Sequence, residues 1–375
     1  MKFYIIAGEA SGDLHASDLI RELKNIIPFL EIRAWGGDLM KAEGAEIIKH
    51  YRDLDFMGFT EVIMNLRTIL GNIDYCKRDI LNYQPDAVIL VDYPGFNLRI
   101  AEFAKKNKFP VYYYISPQVW AWKSSRVRKI REVVDKMFVI LPFEKEFYKK
   151  FNYDVEYVGH PLRDVIDRKR KFFSDRNVFL KKHGLNDKPI IAILPGSRKQ
   201  EIETMLPLML SVKDSFPAYQ FVVAAAPSQL VSFYKNLIYD KNIVIISDET
   251  YELLFHSEAS LVTSGTATLE TALLNVPEVV CYKGGNISYF IARAFVKIKF
   301  ISLVNLIMDR EVVKELIQNN LNADSLRLEL KKILDPQVQK RIFNDYAGLK
   351  EKLSTGGAAV KTAAMIVKDL KNKIH

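Results

Sequence analysis

The amino-acid sequence predicts an α/β protein of two domains, each built on a doubly wound parallel sheet, followed by a helical tail. Short runs rich in Val, Ile and Leu alternate with longer helical patterns, and near-continuous apolar runs are typical of parallel strands buried on both faces. At 375 residues the chain exceeds the usual size of one hydrophobic core. A polar, basic interval at about residues 163–189 separates two sets of strand–helix units.

The predicted strands follow one another from the start of the chain to residue 263. They cover residues 3–7, 87–91, 111–115, 137–141, 190–194, 220–224, 243–246 and 261–263. No strand is predicted beyond residue 305, and residues 311–373 are predicted to be helical. We therefore expect an N-terminal domain of residues 1–163, a C-terminal domain of residues 164–345, and helices of residues 346–375 that pack back on the first domain. The cleft between the domains is the expected binding place.

Composition and charge narrow the class of protein. Hydrophobic residues make up 49% of the chain, yet no apolar run approaches the roughly 18 residues that a membrane span needs. Cys76 and Cys281 lie far apart without companion ligands, which argues against disulfides and a zinc site. The chain starts without a signal peptide, so a cytoplasmic location is expected. The net charge of +9 predicts anionic partners, while the lack of an RNA-binding or helix-turn-helix pattern argues against nucleic acid.

Two polar loops follow strands of the first domain, where ligands of open α/β sheets gather. After the first strand, residues 8–13 (GEASGD) contain glycines that allow close backbone approach, while Ser11 and Asp13 can hold a ligand or cap the next helix. Asp92 follows the strand at residues 87–91. Burial at a strand end raises the pKa of a carboxyl group, so Asp92 is either a general base or a hydrogen-bond partner of the following turn.

A third loop, residues 116–122 (SPQVWAW), concentrates aromatic residues. It holds Trp120 and Trp122, two of the three tryptophans of the chain. Paired aromatic side chains either pack into the core or line a sugar or acyl site. A basic stretch, residues 123–131, follows at once, and a second one at residues 163–171 is interpreted as a solvated linker.

The second domain carries two strand ends suited to an anion. Gly196 lets a phosphate approach, and Arg198 offers several donors to its oxygens. Residues 264–270 (SGTATLE) form a small-residue turn before a helix, where unpaired N–H groups and the helix dipole favour a diphosphate. Glu270 can then accept hydrogen bonds from a sugar diol. A nucleotide diphosphate is the leading hypothesis here, and an ordinary strand-to-helix turn is the alternative.

Eight motifs together resemble one known family. They are residues 8–13, 91–97 (VDYPGFN), 116–122, 141–148 (LPFEKEFY), 158–164 (VGHPLRD), 194–202 (LPGSRKQEI), 264–277 (SGTATLETALLNVP) and 303–318 (LVNLIMDREVVKELIQ). Their order along nearly the whole chain is similar to that of the lipid A disaccharide synthases, which are inverting glycosyltransferases. The resemblance implies the GT-B fold, with two Rossmann-like domains facing a cleft, and peripheral association with the cytoplasmic face of the inner membrane.

The resemblance also implies a reaction and a set of site residues. UDP-2,3-diacylglucosamine would donate its sugar to 2,3-diacylglucosamine 1-phosphate, giving a β-1,6-linked disaccharide 1-phosphate in lipid A biosynthesis; no cofactor and no metal are expected. The predicted catalytic residues are Asp92, Glu9, Ser11 and Arg198; those binding UDP are Gly196, Ser197, Arg198, Ser264, Gly265, Thr266, Ala267, Thr268 and Glu270; and those of the acceptor or cleft are Gly12, Asp13, Asn97, Gln118, Trp120, Trp122 and Asn305.

Other functions stay open at this stage. The alternatives are another GT-B transferase or an epimerase that uses a UDP-sugar, and a non-catalytic nucleotide- or lipid-binding relative; a dehydrogenase lacks its glycine fingerprint. Apolar residues at helical spacing between Val62 and Ile73 either face the core or, with the basic stretch at residues 123–131, rest on an anionic membrane. The oligomeric state is not predicted.

Overall fold

The computed structural model describes residues 1–54, 66–122, 126–240, 242–284, 299–353 and 356–374. The chain forms two compact units, one of residues 1–161 and 355–375 and the other of residues 162–354. This division differs from the predicted borders at residues 163 and 345. Residues 346–353 belong to the second unit, whereas the predicted tail included them.

The first unit is built on a parallel sheet. Its strands are β1 (Lys2–Ala7), β2 (Glu31–Gly36), β3 (Glu46–His50), β4 (Ala87–Val91), β5 (Val111–Tyr114), β6 (Lys136–Val139) and β7 (Glu156–Tyr157). They are ordered β3-β2-β1-β4-β5-β6-β7, and each neighbouring pair is parallel. The order reverses between β1 and β4, which creates a crevice at their carboxyl ends.

Helices cover the faces of this sheet. They are α1 (Ala10–Ile26), α2 (Asp38–Ala42), α3 (Leu66–Tyr83), α4 (Pro94–Lys106), α5 (Val119–Trp122), α6 (Arg126–Val133) and α7 (Pro142–Lys149), with a 3-10 turn at Tyr51–Leu54. All residues of β4 and β5 are buried, as expected for strands with helices on both faces.

The second unit repeats the architecture with β8 (Ile190–Leu194), β9 (Gln220–Ala225), β10 (Val244–Ser247), β11 (Ser257–Thr263), β12 (Glu278–Tyr282) and β13 (Lys314–Ile317). Their order is β10-β9-β8-β11-β12-β13, again with parallel neighbours. The prediction that strands stop at residue 305 is wrong, because β13 pairs with β12 at the edge of the sheet. Its sequence, KELI, has only two apolar residues and lacked a strand pattern.

The helices of the second unit continue the same alternation. They are α8 (Pro161–Arg170), α9 (Arg176–His183), α10 (Lys199–Leu210), α11 (Val231–Leu237), α12 (Thr250–Phe255), α13 (Thr266–Leu273), α14 (Leu303–Met308), α15 (Ala323–Ile333) and α16 (Pro336–Lys352), with 3-10 turns at Lys213–Ser215 and Gln318–Asn320. The reversal of strand order falls between β8 and β11, the counterparts of β1 and β4.

The C-terminal helix α17 (Ala358–Ile374) completes the first unit. Its residues Ile366 and Leu370 share a hydrophobic core cluster with Leu19 and Leu23 of α1. The hydroxyl of Tyr112 on β5 donates a 2.7 Å hydrogen bond to the carboxylate of Asp369. Apolar burial and this polar contact both attach the end of the chain to the sheet of the first unit.

Candidate functional site

Each sheet has one point where the strand order reverses, and the residues just beyond it form a candidate site. In the first unit Ala7 of β1 lies opposite Val91 of β4, so Gly8 and Asp92 leave the sheet side by side. In the second unit Leu194 of β8 lies opposite Val262 of β11. We call these places the first and the second switch point.

The backbone of Asp92 is held tightly at the first switch point. Asp92 and Tyr93 have positive φ values of 45° and 49°, an uncommon conformation for residues other than glycine. The carbonyl oxygen of Asp92 accepts hydrogen bonds from the Asn97 amide at 2.7 Å and the Tyr113 hydroxyl at 2.6 Å. These contacts fix the direction in which the carboxylate leaves the strand.

The carboxyl group of Asp92 is a strong proton acceptor near neutral pH. Burial raises its pKa to about 7, and the negative charge of Glu9 adds to the rise, whereas the backbone N–H of Tyr93 opposes it. The predicted rise in pKa is thus confirmed. A carboxylate with this pKa is well matched to general-base work at physiological pH. Glu9 itself immediately precedes α1 as its N-cap residue.

The GEASGD loop packs closely against the Asp92 turn. A Cβ atom on Gly8 would lie 2.3 Å from the ring of Tyr93, so only glycine fits there. Ser11 is exposed in the first turn of α1, where its hydroxyl is accessible. Gly12 is buried, with the Ala7 side chain 3.2 Å from the place of a Cβ atom.

Two residues predicted for the acceptor or cleft have structural partners instead. Asp13 is 2% exposed, and its carboxylate accepts hydrogen bonds from the backbone N–H groups of Gly37, Leu39 and Met40. Asn97 is completely buried and donates to the carbonyls of Val91 and Asp92. Both side chains shape the first switch point from within, because neither has accessible surface for a substrate.

Glu144 on α7 holds the SPQVWAW loop, a role that the sequence did not reveal. Its carboxylate is 1% exposed and accepts hydrogen bonds from the Ser116 hydroxyl and the backbone N–H groups of Ile140 and Leu141. Burial raises the pKa of Glu144 to about 7, against the effect of these hydrogen bonds.

The aromatic part of the same loop is only partly described. Trp120 packs edge-on against Phe143, with ring centroids 4.9 Å apart, which favours the packing role for that ring. Gln118 is exposed and stays available to a ligand. The side chain of Trp122 and residues 123–125 lie outside the described residues, as do residues 55–65, which include Val62 and Ile63 of the predicted membrane-facing stripe.

A cavity of about 260 Å³ opens at the second switch point. The predicted UDP-binding residues that line it are Gly196, Ser197, Ser264, Gly265, Thr266, Ala267 and Glu270. The lining also includes residues that were not predicted, namely Leu194, Glu201, Ala224, Ala225, Ala226, Thr250 and Thr263. Small side chains dominate this surface, so the ligand can approach the backbone closely.

The β8 end of the cavity depends on Gly196. Its φ of +109° lies in the region that favours glycine, and an added Cβ atom would lie 2.1 Å from a carboxylate oxygen of Glu201. That carboxylate accepts a hydrogen bond from the backbone N–H of Ser197 at 3.0 Å. Arg198 is exposed at the N-cap of α10 and is not among the described residues that line the cavity.

The β11 end presents hydrogen-bond donors. Thr266 and Ala267 begin α13, so their N–H groups have no partner within the helix. Thr263 also lines the cavity; its hydroxyl is buried and has no hydrogen-bond partner within the described residues. Thr268, by contrast, is buried and donates to the carbonyl of Gly265, so it shapes the turn. This end of the cavity therefore suits phosphate oxygens.

Glu270 lies one turn further along α13 and is held from the side. The Tyr251 hydroxyl donates a 2.8 Å hydrogen bond to its Oε1 atom. Burial raises the pKa of Glu270, while Tyr251 and the charge of Lys169 oppose the rise. The Lys169 ammonium in turn lies 4.8 Å from the centre of the Tyr251 ring. The carboxylate is thus fixed in direction, as recognition of a sugar diol requires.

Asn305, predicted for the acceptor or cleft, lies inside the protein. It is completely buried, and its amide donates to Val313 O and Glu315 Oε1 while its oxygen accepts from the N–H groups of Val312 and Val313. All of its hydrogen-bonding capacity is used within the protein. Glu315 also binds the N–H group of Ile301, whose carbonyl accepts from the Ser264 hydroxyl. Asn305 therefore positions the cavity wall through Glu315.

Comparison with known sequences adds a decisive observation. The family model described as lipid-A-disaccharide synthetase matches residues 3–365. The chain belongs to this family. The lipid-A-disaccharide synthase of Syntrophus aciditrophicus is 40% identical over 370 residues, 96% of both chains. Lipid-A-disaccharide synthase 1 of Legionella pneumophila strain Philadelphia 1 is 37% identical over 380 residues, 98% of this chain and 97% of the relative. The family resemblance of the motifs is confirmed.

Solved structures confirm the GT-B type of fold. The UDP-GlcNAc 2-epimerase from Neisseria meningitidis bound to UDP-GlcNAc has a TM-score of 0.69 and 14% identity, covering 99% of this chain and 100% of its own. The S. aureus MnaA–UDP co-structure has a TM-score of 0.65 and 14% identity, covering 100% of this chain and 96% of its own. At these identities the likeness concerns the fold alone.

Within the described residues, no helix has the length and apolar character needed to cross a membrane.

Proposed function

We propose that the protein transfers 2,3-diacylglucosamine from its UDP conjugate to 2,3-diacylglucosamine 1-phosphate and releases UDP. The observation that carries the proposal is the cavity at the second switch point, where the start of α13, Thr263 and Glu270 line a space of about 260 Å³. Relatives that match over nearly the whole chain are named lipid-A-disaccharide synthases, which supports the choice of substrates.

In this proposal the second switch point binds the UDP part of the donor. The N–H groups of Thr266 and Ala267 donate to the diphosphate, and the start of α13 adds the positive end of its dipole. Glu270, held by Tyr251, accepts hydrogen bonds from the ribose diol. Arg198, exposed beside Ser197, stabilises the charge that develops on the departing diphosphate.

The first switch point supplies the base. The 6-hydroxyl oxygen of the acceptor attacks the anomeric carbon, the bond from that carbon to the diphosphate oxygen breaks, and the hydroxyl proton passes to the carboxylate of Asp92. One in-line displacement of this kind inverts the anomeric centre. The pKa of Asp92, raised to about 7 by burial, makes the carboxylate basic enough for this transfer at neutral pH. Glu9 raises the basicity of Asp92 further by its charge.

An assay with the complete substrates tests the proposal. Purified protein is incubated with UDP-2,3-diacylglucosamine and 2,3-diacylglucosamine 1-phosphate, and the products are identified by mass spectrometry. The proposal predicts a disaccharide 1-phosphate and one UDP for each product molecule. Parallel incubations use unacylated UDP-glucosamine and the donor without acceptor. Turnover of the unacylated donor alone, or epimerised donor in place of disaccharide, contradicts the proposal.

We further propose that the protein acts at the cytoplasmic surface of the inner membrane. Helix α6 supports this, because Arg128 and Arg131 are exposed while Val127 and Ile130 are buried in the core. Each basic residue near an anionic surface contributes about 1 kcal/mol. Charge reversal at Arg126, Arg128 and Arg131 is therefore expected to weaken sedimentation with anionic liposomes. Reversal at Arg327, Lys331 and Lys340, exposed residues of the second unit, is the control; equal binding by all proteins contradicts this role of α6.

A further inference from the structure

The second unit contains a smaller cavity that the proposed reaction does not use. It has a volume of about 170 Å³ and is lined by Arg163, Ile166, Asp167, Arg170, Leu273 and Lys350. These residues come mainly from α8, the first helix of the unit, and from the end of α16, its last helix. None of them lines the cavity at the second switch point. The sequence had suggested only a solvated linker at residues 163–171.

The basic side chains around this cavity are held in place. Arg163 Nη1 donates a 2.6 Å hydrogen bond to the carbonyl oxygen of Lys350, and Lys350 Nζ donates one of 2.7 Å to Asn275 Oδ1. The guanidinium carbon of Arg170 lies 5.2 Å from the centre of the Phe255 ring. A ligand therefore meets side chains that are already ordered, which lowers the entropic cost of binding.

The charge around the cavity is unbalanced. Three cationic side chains and one carboxylate line it, and that carboxylate, Asp167, has a side chain that is 67% exposed and lies 3.9 Å from Arg163 Nε. Burial lowers the pKa of Lys350, and the positive charges of Arg170 and Arg163 lower it further, against the effect of Asp167. An anion in the cavity would relieve this repulsion.

We propose that this cavity binds a phosphate group, either of inorganic phosphate or of a phosphate monoester. An excess of two positive charges matches the charge of a phosphate dianion, and two arginines with one lysine are the donor types that bind phosphate in proteins. The bound group links the first and the last helix of the second unit. This site is distinct from the nucleotide cavity and does not depend on the proposed transferase activity.

Calorimetric titration with sodium phosphate at constant ionic strength tests the proposal. UDP is present in excess so that the second switch point is occupied, and a parallel titration omits it. The tested variants are Lys350→Gln and Arg170→Gln, and the control is Lys340→Gln, which removes an exposed lysine from the same helix. We expect each tested variant to weaken phosphate binding about tenfold and the control to leave it unchanged.

Two further measurements complete the test. Thermal melting in chloride buffer shows whether each variant is folded. If Lys350→Gln does not fold, Arg170→Gln alone tests whether the cavity binds phosphate. Competition with glucosamine 1-phosphate identifies a monoester as the natural ligand, whereas failure to compete identifies free phosphate; both results support the site. Equal phosphate affinity in the wild type and both tested variants, or no binding to the wild type, overturns it.

Discussion

At the first switch point two carboxylates, Asp92 and Glu9, follow adjacent strands, and burial raises the pKa of Asp92 to about 7. At the second, the corresponding places hold glycine, serine and threonine residues around the start of a helix. The strand order is equivalent in the two sheets, so the topology places a crevice in both units but does not determine its chemistry. The loops give one crevice two carboxylates and the other small side chains beside the start of a helix.

The largest expected effect comes from removing the proposed base, Asp92. Asp92→Asn keeps the shape of the side chain and removes the proton acceptor, so kcat should fall about 10²- to 10⁴-fold. Steady-state assays at saturating donor and acceptor measure it. The control is Asp74→Asn, which removes a highly exposed acid from α3 of the same unit. We expect its kcat to equal that of the wild type. If Asp92→Asn turned over at the wild-type rate, Asp92 would not be the base.

The next effect belongs to the second switch point. Gly196→Ala introduces a Cβ atom at a φ of +109° and against the Glu201 carboxylate, so the loop must move. We expect the affinity for UDP to fall at least about tenfold, measured by calorimetry. Gly71→Ala is the matched control, because nothing lies within 4 Å of the place of its Cβ atom. UDP affinity equal to that of the wild type would place the nucleotide elsewhere.

A smaller effect concerns the pH dependence at the first switch point. Asp92 accepts a proton only when ionised, so kcat/KM should fall tenfold for each pH unit below a pKa of about 7. The charge of Glu9 raises that pKa, so Glu9→Gln should lower it and move the acid limb of the profile to lower pH. The activity at pH 6, relative to that at pH 8, should therefore rise. An unmoved limb would show that Glu9 does not act on Asp92.

The smallest effect concerns the support of Glu270. Tyr251→Phe removes the 2.8 Å hydrogen bond to its carboxylate and leaves the ring in place. A loss of about 1 kcal/mol would weaken UDP binding about fivefold. If Tyr251 only stabilised the fold, the folded Tyr251→Phe variant would bind UDP as tightly as the wild type does. Titration with 2′-deoxy-UDP sharpens the test, because an equal loss for both nucleotides would exclude an effect through the ribose 2′-hydroxyl.

Much of the fold could be predicted because the central strands are apolar throughout. Strands β4 and β8 are wholly buried and were placed at their observed bounds. Strands β2, β3, β7 and β13 were missed because each is a short segment that mixes charged with apolar residues at or near the edge of a sheet. Periodicity is weak in such short segments, and the pairing that stabilises them comes from distant residues.

The site could be predicted only where it lies directly after a strand. Gly196 and Ser264 follow β8 and β11, so the strand assignment alone brings them to one cavity. The hydrogen-bond partners of Asp13 and Asn305 come from other segments, so no local pattern shows that these side chains are buried and bonded within the protein. Glu144 and Tyr251 were overlooked for the same reason, since each acts through a residue far from it in sequence.

The most direct test measures both switch points in one variant. In the proposed mechanism Asp92 accepts the proton and the cavity around Gly265 binds the nucleotide, and these two places lie in different units. Turnover and the UDP dissociation constant are therefore determined together for Asp92→Asn. We expect kcat to fall at least about a hundredfold while the dissociation constant stays within about twofold of the wild-type value. A parallel loss of UDP affinity, or turnover close to that of the wild type, would contradict this mechanism.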